Sequence, residues 1–521
     1  MTAMTARVAR APARRVWLAG PARLLRLELR RNPMPWTLPL LAVLFWVSTY
    51  RPAMSNPPLW NVRGSMLQAQ TMLTFAPVLA GVAAWAGSRE GRRGTTDLVT
   101  ITGLPRWAGR LAAWAAVTFW AEVAYLAGVA VVYGITAHQA TWGGPLWWPV
   151  AVGAATGAAA CAVGFAAGSL APSRFTAPLA AVTVFLALGA GAFALQHGAR
   201  ATYSQIWPLN VQGAFPKDSF GIFYPFPPDL SIAQLMFAGG LGAAALGAVG
   251  LPAVAGGRWL RAAAAAVTIA GLAAAGTAVG LAGTARLEAH GIVIPALHDA
   301  ASDRPVRYTP VCSGAGIPVC LQPAYRAYLP EVTTAVGPLL HELAGLPGAP
   351  TRVIQVAVTS VQEGPSNGIE FGPPVISGTP PVLYLPLSGL TLPGEGATPA
   401  GFAGAIQDNL LPMLNAFAGL RAEPGSGVTP RPSGSGATAQ LAVAMALAQD
   451  AGLLTRIPPG TPVAGTAGSV GQSAGSLPPA ARAQAAVANR FAALPAATRH
   501  AWLLTHLAAL RAGHITPAGI P

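Results

Sequence analysis

Lysine is almost absent from this sequence: its 521 residues contain one, Lys217, in the segment PKDSFG. A nucleotide-binding P-loop needs a Gly-Lys-Ser or Gly-Lys-Thr sequence, so that the lysine reaches the terminal phosphates. Lys217 lies between proline and aspartate, which excludes a P-loop in this chain. If the protein takes part in a process driven by ATP, another polypeptide binds the nucleotide.

Charge of either sign is also scarce. Charged residues make up 9% of the chain and hydrophobic residues 53%, whereas soluble domains carry about 25% charged residues. This is the composition of a membrane protein. The net charge is +15, carried almost entirely by arginine. Because no basic face alternates with stacking aromatics, the arginines indicate contacts with the lipid bilayer and not with nucleic acid.

Seven hydrophobic stretches approach the ~20 residues that a helix needs to cross a bilayer. The predicted spans are residues 35–50, 68–87, 111–133, 149–170, 177–195, 232–254 and 262–281. The fourth span contains the pairs Gly153/Gly157 and Gly164/Gly168. Such pairs either let helices approach closely or merely reflect a glycine-rich composition.

The positions of the basic residues predict the orientation. Loops rich in arginine stay in the cytoplasm by the positive-inside rule. The inner segments hold eight arginines before the first span, five in residues 88–110, and then Arg174, Arg258 and Arg261. The outer loops hold Arg51, Arg63, Arg200 and Lys217. The N-terminus is therefore predicted inside the plasma membrane, and an odd number of spans places the C-terminal part outside.

Three regions follow from this reading. Residues 1–34 form a basic cytoplasmic N-terminus, in which the helix predicted from residue 21 is either interfacial or simply the flank of the first span. Residues 35–283 form the transmembrane domain, and residues 284–521 an extracytoplasmic domain. The predicted fold class is an α-helical polytopic membrane protein with about seven transmembrane helices, followed by an α+β extracytoplasmic domain.

Residues 88–110 are the most densely charged interruption between hydrophobic runs in the first half of the chain. After Gly94, threonine or Asp97 is able to cap a helix start. Leu98 begins an apolar side, and Pro105 ends the segment. A short half-apolar helix ringed by arginine at the membrane surface suits the docking of a cytoplasmic partner. The alternative is a solvated loop that only fixes topology.

One series of residues in this loop resembles a motif of a known protein family. It consists of Glu90, Gly94-Thr95, Leu98, Pro105 and the basic Arg106 that leads into the next span. The series resembles the first cytoplasmic loop of type-2 ABC exporter permeases, which holds the coupling helix that sits on the ATPase subunit. The resemblance covers about residues 20–285. It implies that an ATPase docks on Glu90, Arg92, Arg93, Gly94, Thr95, Asp97, Leu98, Pro105 and Arg106.

The resemblance also implies how the protein is energised. The chain would be a non-catalytic permease subunit without a cofactor of its own, and ATP and Mg²⁺ would bind the partner ATPase. Two copies, or this chain and a second permease, would form the transport unit. The usual permease of this family has six spans, so the seventh span and the C-terminal domain are additions, and the substrate class does not carry over.

Two cysteines in the C-terminal part, Cys312 and Cys320, flank the segment SGAGIPV. A pair this close suits a disulfide in an oxidising compartment, the alternative being two free thiols. Cys161 lies within the fourth span as a small apolar residue. The remaining pattern predicts helices over residues 323–345, 400–421, 437–454, 479–494 and 496–512, and strands over 353–361 and 382–385.

The C-terminal part offers weak signs of enzymatic chemistry. His341-Glu342 begins like the zinc-binding H-E-x-x-H motif, but Gly345 stands where the second histidine is required. This leaves a degenerate peptidase-like binding domain as an alternative. In that case the protein would be a membrane-anchored extracytoplasmic sensor or binding protein without transport activity.

Glu122 is the exception among spans that contain almost no ionisable residue. A carboxylate within a span is by default a candidate for function, because its burial is costly. The alternative is a side chain that hydrogen-bonds within the helix bundle. The sequence favours neither.

Overall fold

The computed structural model describes the chain from residue 13 to residue 521 with gaps. The described residues are 13–55, 58–94, 106–197, 222–253, 257–288, 291–314, 316–356, 361–363, 369–371, 375–386, 410, 413–420, 434–453 and 479–521. Within these ranges a helical part is followed by a smaller part that combines helices with a mixed sheet.

The helical part reaches to residue 282. Its helices are α1 (Ala13–Arg31), α2 (Leu38–Phe45), α3 (Arg51–Ser55), α4 (Trp60–Gly87), α5 (Arg89–Arg93), α6 (Arg106–Gln139), α7 (Trp147–Leu170), α8 (Thr176–His197), α9 (Asp229–Ala253) and α10 (Arg258–Ala282). Within the described residues, five of them, α4, α6, α7, α9 and α10, are long and apolar enough to cross a membrane. They are compatible with a multi-pass membrane protein and match the second, third, fourth, sixth and seventh predicted spans.

The first predicted span is not one continuous helix. Residues 34–55 are divided into a 3₁₀ turn, α2, a π-helical turn (Trp46–Tyr50) and α3. Proline at the start of α2 and α3 supplies no backbone N–H, which favours such interruptions. Helix α8, Thr176–His197, covers the fifth predicted span, and the part of it whose side chains are described, Thr176–Gly189, is apolar but shorter than a full span. The number of seven spans therefore stays a prediction.

Helix α4 lies at the centre of the bundle and packs against α6, α7 and α8. Its closest neighbour is α7, because Gly164 and Gly168 carry no side chain. A Cβ atom on Gly164 would collide with the carbonyl oxygen of Ala80, and one on Gly168 with that of Ala84. This glycine pair therefore has a packing role: it lets two helix backbones meet.

Polar side chains join α4 to its neighbours inside the bundle. Gln68 Nε2 donates to Gln234 Oε1 of α9 at 3.1 Å. Arg63 Nη1 donates to Thr136 Oγ1 of α6 at 3.2 Å. Such bonds hold helices together because a polar group in hydrocarbon has no water as an alternative partner.

Helices α9 and α10 form a hairpin that also relies on glycine. A Cβ on Gly240 would lie 2.6 Å from the carbonyl oxygen of Gly271. The opposite face of α10 is open: Trp259 is 88% exposed and Ile269 68% exposed. Exposed apolar side chains on a spanning helix are expected to face lipid.

The described residues of the C-terminal part form nine strands and four helices. They are β1 (Arg286–Glu288), β2 (Gly291–Val293), β3 (Val311–Cys312), β4 (Val319–Leu321), α11 (Leu329–Leu343), β5 (Arg352–Val356), β6 (Val361–Glu363), β7 (Ile369–Phe371), β8 (Val375–Ser377), β9 (Val382–Pro386), α12 (Ser435–Asp450), α13 (Pro479–Ala492) and α14 (Ala496–Arg511). Five strands form one sheet in the order β3-β4-β5-β9-β8. Strands β4, β5 and β9 are parallel, and the two edge strands are antiparallel to their neighbours.

These elements match most of the predicted ones. The helix predicted over 323–345 is a 3₁₀ turn followed by α11, and the last three predicted helices are α12, α13 and α14. The strand predicted over 382–385 is β9, and that over 353–361 corresponds to β5 and β6, with residues 357–360 outside the described ones. The helix predicted over 400–421 lies mostly outside them.

The hydrophobic core of the C-terminal part includes residues from the helical part. Leu59 and Val62, at the start of α4, belong to the same buried cluster as Val319 of β4 and Leu339 of α11. Thr141, after α6, donates to the carbonyl oxygen of Pro323 at 2.7 Å. The two parts are therefore packed together through a shared apolar surface.

A disulfide joins Cys312 and Cys320 where β3 pairs with β4. The two cysteines are separated by eight positions. Replacing both by serine should lower the free energy of unfolding by about 2–3 kcal/mol, because the short ring limits the unfolded chain. Faster proteolysis of the C-terminal part, with the helical part intact, is the expected readout. Two free thiols detected by mass spectrometry in protein isolated from membranes would contradict the bond.

Candidate functional site

The segment predicted to dock a partner begins directly at the end of α4. Ser88 leads into α5, a helix of five residues, and Gly94 ends it with φ +62°. This backbone conformation is left-handed, which glycine adopts without steric cost. Helix α5 precedes the helix that the sequence predicts after Gly94.

Two ion pairs fix α5 to other elements on this side of the bundle. Arg89 Nη2 lies 2.8 Å from Glu28 Oε1 of α1. Glu90 Oε2 lies 3.7 Å from Arg110 Nε, one turn into α6. Helix α1 is itself held against α6, because Trp120 Nε1 donates to the Leu29 carbonyl oxygen at 3.1 Å. The beginning of the segment and its far end thus form one cluster with the N-terminal helix.

Arg92 folds back on the end of α4. Its guanidinium lies 3.5 Å from the centre of the Trp85 ring. It also donates to Ser88 Oγ at 3.0 Å and to the Trp85 carbonyl oxygen at 3.1 Å. Arg92 therefore terminates α4, whose last carbonyl groups need donors.

A turn on the same side touches α5 as well. Pro172, which follows α7, packs so closely that a Cβ on Gly91 would lie 2.5 Å from the Pro172 Cβ. The end of α7 is thereby connected to the predicted docking segment. Helix α5 is thus in contact with α1, α4, α6 and the turn after α7.

Only some of the remaining residues of the predicted docking set are among the described residues. Arg93 and Gly94 are exposed. Arg106 is the first residue of α6. Thr95, Asp97, Leu98 and Pro105 lie outside the described residues. The described part of the set is brought together at one end of the bundle.

Glu122 lies in α6, facing α7. A Cβ on Gly157 would be 3.4 Å from Glu122 Oε1. One turn away, the side chain of Tyr125 fills the space that the absent side chain of Gly153 leaves. The buried Tyr125 hydroxyl makes no hydrogen bond within the described residues. The first glycine pair of α7 thus accommodates two polar side chains of α6, and this position fits both roles considered for Glu122.

A second cluster, which the sequence analysis missed, joins α9 to the C-terminal part. Asp229, the first residue of α9, is fully buried. Its Oδ2 accepts from the Ile294 backbone N–H at 3.0 Å and lies 3.1 Å from His298 Nδ1. His298 Nε2 lies 3.0 Å from Asp303 Oδ1. An acidic residue at a helix start was a readable signal; its histidine partner, 69 positions away, was not.

This cluster makes part of the stability depend on pH. Burial lowers the pKa of His298, but hydrogen bonds and charges from Asp303 and Asp229 outweigh it, so the pKa is raised above 6.5. The cationic histidine therefore stabilises the fold fully below pH about 6.5, and this contribution is lost as the pH rises through the folded-state pKa. We expect His298→Gln to lower the thermal midpoint at pH 6 and to cost progressively less as the pH rises. An equal loss at pH 6 and pH 9 would contradict this.

A third cluster lies within the C-terminal part. Arg499 of α14 is 6% exposed. Its Nη2 lies 2.7 Å from Asp450 Oδ2, as an ion pair without hydrogen-bond geometry, and 3.5 Å from Glu342 Oε2. His341 is exposed and Gly345 has φ +79°. The fragment that begins like a zinc motif is thus the end of α11, and its glutamate is part of an ion-pair cluster.

No known protein family, curated protein or solved structure matches the chain.

Proposed function

We propose that this chain is the permease subunit of an ABC exporter, energised by a separate ATPase that docks on residues 88–110. In this proposal the N-terminus and α5 are cytoplasmic, the chain crosses the plasma membrane seven times, and the C-terminal part is extracytoplasmic. ATP binding closes the ATPase dimer, and the docking segment passes that motion to the spans. The loop's resemblance to coupling loops motivates the proposal.

The contacts of α5 are the observation that supports it most. A segment that transmits force has to be attached firmly to the helices that it moves. Helix α5 follows α4 directly, and its ion pairs reach α1 and α6. The chain thus leaves this cluster of helix ends at Gly94 and returns to it at Arg106. A displacement of that segment by a partner would reach several helices together.

The first test is purification of the full chain from membranes in mild detergent. An ATPase subunit is expected to copurify in amounts comparable to the permease. If no ATPase copurifies and none is encoded beside this chain, the proposal fails. Ligand binding by the C-terminal part without any transport function would then favour the extracytoplasmic sensor.

Leu98 is the apolar residue expected to enter a groove of the ATPase. Replacing it by aspartate should weaken ATPase binding by about ten- to a hundredfold, because a charge would be buried at the contact. Insertion should be normal, since the arginines that set the topology remain. Copurification and transport-coupled ATP turnover are the measurements.

The matched control is Leu98→Met, which keeps an apolar side chain of similar volume. It should retain both ATPase copurification and transport-coupled ATP turnover. If Leu98→Asp also retains both, residues 88–110 are only a linker, and the proposed docking site is wrong.

A further inference from the structure

An apolar cleft opens between helices at the end of the bundle where α5 lies. Its volume is about 300 Å³, at the lower end of the ~300–1,000 Å³ typical of small-molecule sites. Helices α6, α7, α9 and α10 form its walls. The central lining residues are Leu111, Phe165, Leu246, Leu260, Ala263 and Val267.

The cleft runs from the ends of these helices toward the membrane interior. Trp107 and Arg110 are in the first two turns of α6, whereas Val267 is nine positions into α10, or about 14 Å at 1.5 Å per residue. Leu260 and Val267 are 48% and 46% exposed, so the cleft opens on the face of α10 expected to contact lipid.

Among the described residues that line the cleft, Arg110 alone carries a charge. Its Nη1 lies 3.5 Å from the Val249 carbonyl oxygen, and its Nε lies 3.7 Å from Glu90 Oε2. The distance to Glu90 is long for a charge-assisted bond, for which ~2.7–2.9 Å is usual. Two further arginines, Arg258 and Arg261, lie in the first turn of α10, on either side of the lining residue Leu260.

We propose that the cleft binds one anionic phospholipid, with an acyl chain along the apolar walls and the phosphate at Arg110. The occupant has to be apolar over most of its length because the walls are apolar. It has to be anionic at one end because three arginines, Arg110, Arg258 and Arg261, outnumber the one carboxylate, Glu90, near that end of the cleft. A phospholipid of the surrounding leaflet satisfies both conditions, and it reaches the cleft through the open side.

Other occupants fit less well. A zwitterionic lipid brings its own ammonium group to the same arginines, which removes most of the electrostatic gain. A second copy of this chain would bring an equally basic helix end to the cleft. The inference requires that these helices cross a membrane, and it does not depend on an ATPase.

The test uses the full chain reconstituted into bilayers with a phosphatidylglycerol that carries a photoreactive diazirine on its acyl chain. Irradiation should attach the lipid to residues of α9 and α10 that line the cleft, as mapped by mass spectrometry. Unlabelled phosphatidylglycerol should compete about fivefold better than phosphatidylcholine, the effect of about one arginine at an anionic headgroup. This comparison needs no mutation.

Two variants locate the site, each with a matched control. Ala263→Phe fills the cleft and should lower labelling about tenfold, because at least two methylene groups of the lipid lose their contact. Ala262→Phe makes the same change at the preceding, exposed position outside the lining and should label normally. Arg110→Gln should remove the preference for the anionic lipid, whereas Arg174→Gln, on the same side but outside the cleft, should retain it.

Three results would overturn the inference. Equal competition by the two lipids would show that no anion is recognised. Labelling spread evenly over exposed helix faces, or unchanged in Ala263→Phe, would show that the cleft is not the binding site. Cross-links between two copies of the Ala263→Cys variant, with lipid labelling absent, would show that a second chain covers the cleft.

Discussion

Replacing Gly164 and Gly168 together by leucine should prevent the helical bundle from assembling. Both glycines lie against backbone of α4, and a Cβ on either would meet a carbonyl oxygen of Ala80 or Ala84. Overpacking usually costs about 1–3 kcal/mol because side chains shift to make room. Here the obstacle is main chain of the central helix, so two leucines should exceed that range. Loss of folded protein is the expected result.

The measurement is the yield of monodisperse protein after detergent extraction, together with resistance to protease. Gly134→Leu is the matched control, because it lies in α6, where an added Cβ has no atom within 4 Å. That variant should be extracted as well as the wild type. Normal yield of the double variant would mean that α4 and α7 do not touch as described.

Replacing Arg499 by leucine should destabilise the C-terminal part by about 3–5 kcal/mol, the usual cost of removing one partner from a buried ionic cluster. Arg499 pairs with Glu342 and Asp450. It also donates to the carbonyl oxygens of Ala492 and Leu494, between α13 and α14. The change therefore leaves two carboxylates without their cation and a helix connection without its donor.

The effect should depend on pH. Burial raises the pKa of Asp450 to about 6, with the Arg499 charge opposing and the Glu342 charge adding to the shift. A carboxyl whose pKa is raised on folding binds protons more tightly in the folded state, so stability falls as the pH rises from about 4 to about 6. Without Arg499 the opposing charge is lost. The destabilisation should therefore be largest at pH 7 and smaller at pH 5.

Protease resistance of the C-terminal part across this pH range measures the effect. Arg499→Lys keeps the charge but loses the forked geometry, and its loss should be smaller than that of Arg499→Leu. A pH-independent effect of Arg499→Leu would mean that packing, not charge, dominates at this position.

Sequence patterns were sufficient where a single periodic property decides the structure. The five long apolar helices coincide with five predicted spans, because hydrophobicity alone determines them. Helices α13 and α14 were predicted within a few residues. The division of residues 35–50 was not predicted. Prolines and a π-helical turn interrupt a stretch whose hydrophobicity is that of a span.

The three side-chain clusters depend on tertiary contacts that no local sequence pattern specifies. The charges of residues 88–110 were visible in the sequence, but Arg89 pairs with a glutamate 61 positions earlier, in a helix that folds back along α6. The same holds for Asp229 and His298, and for Arg499 with Glu342, 157 positions apart. Such pairs follow from tertiary packing, which the spacing of residue types does not specify.

Helix α4 has a consequence for how the two ends of the molecule behave together. It starts among core residues of the C-terminal part, at Leu59 and Val62, and it ends one residue before α5. Its 28 residues span about 42 Å at 1.5 Å each. Helix α4 thus connects the core of the C-terminal part with the end of the bundle where α5 lies. We expect a tilt imposed at α5 to displace the C-terminal part directly, and a ligand that immobilises that part to restrain α5 in turn.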